Sequence, residues 1–155
     1  MEIILNPFGR IGPVTFRNTA LILIAIGACL SLSPLINPGL AALSFAGVLL
    51  LYPSLVIWVK RFHDAGKSGK WFLAVFAAQV ITGIVVNRFI VARFLPPPPP
   101  VDPHFIWLSM VAQMRANALP GTIAGVIISL AFVLVINEEL KSDPEENAYG
   151  PPPPR

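Results

Sequence analysis

The stretch of this chain richest in chemically capable side chains is residues 60–71, KRFHDAGKSGKW. It brings Lys60, Arg61, His63, Asp64, Lys67, Ser68 and Lys70 into an otherwise apolar sequence. A His beside an Asp suggests a general base and its orienting carboxylate. Sequence neighbours rarely face each other, however, and Ser68 is the one nearby nucleophile. A metal site needs three or four ligands. His63, Asp64 and the distant His104 are the candidates, and a membrane span is predicted to separate His104 from the other two. Gly66-Lys67-Ser68 invites a phosphate-loop reading. That loop requires a glycine five residues before the GK glycine, where Arg61 stands, and a preceding strand. No catalytic residue, metal or cofactor is therefore expected.

Two physical roles remain for these residues. Cations at the headgroup plane attract anionic lipid, at about 1 kcal/mol each. The same residues can also build a rigid hairpin. Asp64 would neutralise Arg10, Arg61 or a Lys, His63 would bond a backbone carbonyl, and Gly66 and Gly69 would permit the turn into Trp71.

The elements that must position this stretch are membrane helices. The chain has 155 residues, of which 55% are hydrophobic and 12% charged, with a mean hydropathy of +0.71. Soluble domains carry about 25% charged residues, so lipid is the expected solvent. The net charge of +3 is too small to imply nucleic-acid binding. The single cysteine, Cys29, excludes an intrachain disulfide. The predicted fold is all-α, an integral membrane protein with four transmembrane helices. The membrane domain is expected over 19–136, with spans at about 19–36, 39–59, 71–87 and 119–136. Residues 1–18 read as an interfacial lead-in, because Pro7, Gly9, Gly12 and Pro13 oppose a long helix.

Residues 60–70 are expected to form a loop between the second and third spans. Residues 88–118 read as the connection on the opposite side. In that connection the prolines of 96–100 form a stiff polyproline II spacer. Asp102 and Pro103 start an amphipathic helix over 104–118 that lies on the membrane surface. Gly121 and Gly125 form a GxxxG pair suited to a partner protein or a second copy of this chain. Residues 137–155 read as an acidic, proline-rich tail.

Four spans place both termini on one side. That side carries Arg10, Arg17, Lys60, Arg61, Lys67, Lys70, Lys141 and Arg155, against Arg88, Arg93 and Arg115 on the other. The basic side is expected to be cytoplasmic, with both termini inside and the 88–118 connection outside.

Three segments carry a resemblance. They are PFGRIGPVTF at 7–16, RFHDAGKSGKW at 61–71 and ENAYGPPP at 146–153. Their order and content resemble the domain of unknown function 805 family, small multi-pass proteins of bacterial inner membranes. The matching positions are Gly9, Arg10, Ile11 and Phe16; Arg61, His63, Asp64, Gly66, Ser68, Gly69 and Trp71; and Asn147, Tyr149, Gly150 and Pro153. The family's N-terminal segment usually continues with a further basic residue and an aromatic pair, where this chain has Pro13 and Phe16-Arg17. The resemblance implies a four-helix core in a bacterial inner membrane and assigns no activity.

The segment 147–150 is expected to fold back beside Arg10 and residues 60–70. The site so formed would comprise Arg10, Lys60, Arg61, His63, Asp64, Gly66, Lys67, Ser68, Gly69, Lys70, Asn147, Tyr149 and Gly150. It would contact membrane lipids or another anion. The expected role is structural, assembly-related or regulatory rather than enzymatic. The alternatives are a small transporter or channel, and a lipid-headgroup enzyme at the inner interface.

Overall fold

The computed structural model describes residues 2–95 and 105–153. The expected polyproline spacer and the Asp102-Pro103 helix start lie outside these residues. A short helix α1 (Glu2–Leu5) precedes α2 (Pro13–Ile36). A 3-10 segment (Pro38–Leu50) continues directly into α3 (Leu51–Asp64). α4 (Trp71–Phe94) and α5 (Ile106–Glu139) complete the bundle. The described residues contain no strand beyond one isolated bridge, Asn147 to Gly150. Four helical rods, counting the 3-10 segment with α3, are long and apolar enough to cross a membrane. Their outward faces carry Leu21, Ile22, Leu73, Ile81, Ile123 and Ile127, all exposed. Apolar side chains all round a helix suit a lipid surrounding.

The helices extend further than the sequence suggests. α2 starts at Pro13, with Pro in the first turn and Gly12 as its cap. A proline there loses no intrahelical bond and presets φ for the helix, so residues 13–18 are helix rather than lead-in. α4 runs to Phe94, about 36 Å, and includes both Arg88 and Arg93.

The expected separate amphipathic helix is corrected. Residues 106–118 are the first turns of α5, one continuous helix of 34 residues containing Pro120. Ile106, Trp107, Leu108 and Met110 are exposed while Val111 is buried, and the segment runs into the fourth span without a break. A proline inside a membrane helix is tolerated where local adjustments satisfy the freed carbonyl.

The second span is the least regular. Asn37 caps it by accepting the Gly39 N–H at 2.7 Å. The next 13 residues wind as a 3-10 helix, far beyond the usual three or four. The change to α geometry falls at Leu50 and Leu51, just before Pro53. Pro53 has no N–H, so either ladder is interrupted there. Residues 60–64, expected in the loop, form the last turn of α3 instead.

The buried core sits at one end of the bundle. Phe16, Ala20, Ile57, Trp58, Phe62, Phe72 and Val133 belong to a single apolar cluster. Phe16 meets Trp58 edge-on with ring centroids 4.7 Å apart. This apolar plug lies directly beneath the polar site.

Candidate functional site

The site begins with the way α3 stops. Lys67 N–H donates to Phe62 O at 2.9 Å, and Gly66 N–H to His63 O at 3.1 Å. Gly66 adopts φ +67°. These are the paired bonds of a Schellman ending, in which a left-handed glycine closes the helix. Gly69 then serves close approach. A Cβ there would lie 2.7 Å from Val59 Cγ1 and 3.2 Å from His63 Nε2. Trp71 opens α4 after this tight passage.

Asp64 ends up fully buried at the last turn of α3. Its Oδ1 accepts from Arg10 Nη2 at 3.1 Å and Nε at 3.3 Å. Its Oδ2 accepts from Arg61 Nη1 at 2.7 Å and from the Ser142 hydroxyl. A carboxylate at a helix C-terminus is opposed by the helix dipole. The two guanidinium groups more than offset that, and leave the trio with one net positive charge.

Backbone carbonyls solvate the excess charge. Arg10 Nη1 donates to Glu145 O at 2.8 Å and to Gly150 O at 3.2 Å, and Nη2 donates to Asp143 O. Arg61 Nε donates to Asn137 Oδ1 at 2.7 Å, and Nη2 to Asn137 O and Leu140 O. Those last two carbonyls close α5, whose negative dipole end therefore faces Arg61. Asn137 also donates from Nδ2 to Pro13 O at 3.3 Å, which ties the end of α5 to the start of α2.

The tail is thus seated, with its carbonyls rather than its carboxylates holding both arginines. Asp143 N–H bonds Asp64 O at 2.8 Å. Asn147 accepts the Tyr149 N–H at 2.9 Å through Oδ1, and its Nδ2 donates to His63 O at 3.2 Å. Gly150 takes φ +111° to complete the turn. The turn lays Tyr149 flat on His63, with ring centroids 3.7 Å apart. The other side of the story for His63 is Nδ1, which lies 3.3 Å from the Gly9 carbonyl.

The structure therefore brings Arg10, Arg61, His63, Asp64, Asn147, Tyr149 and Gly150 together. Lys60 is buried beside them, its carbonyl accepting Ile11 N–H at 3.4 Å. Lys67, Ser68 and Lys70 stay exposed on the rim. Sequence reasoning missed Asn137 and Ser142, which complete the shells of Arg61 and Asp64. Nothing in NEELKSD distinguishes Asn137 from an ordinary solvated helix end. Among the described residues no cluster of His, Cys, Asp or Glu could hold a metal ion. Gly121 and Gly125 line the cleft between this chain's own helices.

This architecture is that of a multi-pass helical membrane protein with its two terminal segments clamped onto one interhelical turn. The model of a family described as "Protein of unknown function (DUF805)" matches residues 6–151, and the chain belongs to that family. Among curated proteins it is similar to "Uncharacterized protein YiiR" of Escherichia coli strain K12, 41% identical over 59 residues. That match covers 34% of this chain and 40% of YiiR. The YiiR of Escherichia coli O157:H7 matches to the same extent. The chain thus spans 40% of the length of the curated relatives it matches. No solved structure matches it.

Proposed function

We propose that this chain is a non-enzymatic component of a bacterial inner membrane, with both termini cytoplasmic. Its clamp holds the basic rim of Lys67 and Lys70 against anionic headgroups. The observation that carries this reading is Asp64, buried with both oxygens occupied by Arg10, Arg61 and Ser142. An acid or base in use by a substrate needs a free, reachable position. Here His63 is capped by Tyr149 on one face, and Asp64 is spent on cohesion. The clamp instead fixes where the exposed cations stand. The excess of Lys and Arg at that end of the bundle supports the cytoplasmic orientation.

The test is native mass spectrometry of the full chain purified from bilayers of phosphatidylglycerol mixed with phosphatidylcholine. The wild type is expected to retain phosphatidylglycerol. Lys67→Gln with Lys70→Gln should lose that selectivity while the melting temperature stays the same. Equal retention by both proteins would refute headgroup contact. A changed cellular lipid profile in His63→Ala, at normal protein level, would favour a headgroup enzyme instead.

A further inference from the structure

On the side of the apolar plug away from the polar site, the four helical rods do not close on one another. They surround a cleft of about 630 Å³, within the range of small-molecule sites. No charged side chain among the described residues lines it. Its floor is Ile57, Trp58, Phe72 and Val133, which separates it from the Arg10–Asp64–Arg61 cluster. The floor makes it a blind cleft rather than a conduit through the bundle.

Its polar groups are not spread evenly. Gln79 Nε2 donates to Ser129 Oγ at 2.9 Å and fixes the register of α4 against antiparallel α5. Eight residues onward in α4 and eight back in α5, that register sets Asn87 level with Gly121. Asn117 and Thr122 lie to either side of Gly121 on α5 and also line the cleft. Asn117 Oδ1 and Thr122 Oγ1 are buried without a hydrogen-bond partner among the described residues. An unpaired acceptor away from water costs about 1–3 kcal/mol. Asn87 lies in the last two turns of α4, so this polar belt stands toward the end of the cleft away from Trp58. From Thr122 down to Val133 is about 16 Å of helix, lined by Leu23, Phe76 and Val80.

We propose that this cleft binds a neutral lipid with one long apolar chain and a head that donates a hydrogen bond, such as a long-chain or polyprenyl alcohol. The head reaches Asn117 and Thr122, and the chain runs down to Trp58. Among the described residues no cation lines the cleft itself, so a carboxylate or phosphate seated between Asn117 and Thr122 would lack a partner to offset its desolvation. The two unpaired oxygens select a donor over an ether of the same shape.

The test uses the full chain in nanodiscs with Trp71→Phe and Trp107→Phe, both at exposed positions, so that Trp58 is the remaining indole. The probe is ω-bromohexadecanol, whose bromine quenches tryptophan on contact. The comparators are its methyl ether and ω-bromohexadecanoic acid, followed by a brominated polyprenyl alcohol to separate straight from branched chains. Saturable quenching by an alcohol is expected. The ether, and the alcohol on Asn117→Leu or Thr122→Val, should bind about three- to tenfold more weakly, the loss of one hydrogen bond. Gly125→Leu, where a Cβ meets nothing within 4 Å, should fill the cleft and abolish quenching without lowering the melting temperature. Unsaturable quenching, equal binding of alcohol and ether, or stronger binding of the acid would overturn the proposal.

Discussion

His63 and Tyr149 lie face to face, 3.7 Å between ring centroids and 4° from parallel, although 86 residues separate them in sequence. The stack covers the end of α3 and is the aromatic anchor of the tail. Aromatic pairs contribute about 0.5–1.5 kcal/mol beyond the area they bury. Tyr149→Ala should therefore raise the population of undocked tail roughly two- to tenfold. Trypsin cleavage after the exposed Lys141 reads that population directly. Tyr149→Phe keeps the ring and should cleave at the wild-type rate.

The Arg10–Asp64–Arg61 trio makes a sharper prediction. Removing one member of a buried ion pair typically costs 3–5 kcal/mol, because the partner's charge stays buried. Asp64→Ala strands two guanidinium groups and should be the most damaging single change at the site. Arg10→Met leaves Arg61 and Ser142 on Asp64 and should cost less. The double variant should be more stable than the sum of the two losses predicts, by about 0.5–3 kcal/mol of coupling. Detergent-solubilised denaturant unfolding of the four proteins measures this, and strict additivity would contradict the shared cluster.

Much of this arrangement is legible in the sequence, and the exceptions have causes. The three motif segments stand out because charge and glycine are rare in a greasy chain, so their shared location at one end follows from an even number of spans. Helix limits were harder. Pro13 and Pro120 look like breakers, yet one occupies a first turn and the other is absorbed within α5. The 3-10 winding of Pro38–Leu50 has no mark in PGLAALSFAGVLL, a run any apolar helix could contain. The acidic composition of the tail does not say which of its groups meet the arginines. Its carbonyls hold them, and every residue offers a carbonyl whatever its side chain. Asn137 and Ser142 were invisible for the same reason: their roles come from where α5 ends.

Gly66 and Gly69 should fail differently. Gly66→Ala puts a Cβ at φ +67°, a left-handed conformation costing roughly 1–2 kcal/mol for an L residue. Gly69→Ala meets Val59 at 2.7 Å. The Val59 side chain has one favoured rotamer in a helix and cannot turn aside. Overpacking of this kind costs about 1–3 kcal/mol and pushes α4 away from α3. Both variants should lower the melting temperature. Gly69→Ala alone should also disturb the His63–Tyr149 stack, through Nε2 of His63, and so expose Lys141 to trypsin.

The proposed orientation rests on charge alone and can be tested with single thiols. Lys67 and Arg93 are both exposed and lie at opposite ends of α4's path across the bilayer. Lysine and arginine accumulate on the cytoplasmic side of membrane proteins, and seven of the ten basic residues among those described lie at the Lys67 end. In a Cys29→Ala background, Arg93→Cys should react with an impermeant maleimide in intact spheroplasts. Lys67→Cys should react only after permeabilisation. Both thiols sit outside the clamp, so neither should disturb the fold, and the contrast between them reads topology alone. Labelling of Lys67→Cys in sealed cells would invert the bundle. It would also remove the inner leaflet's anionic headgroups as partners of the Lys67–Lys70 rim.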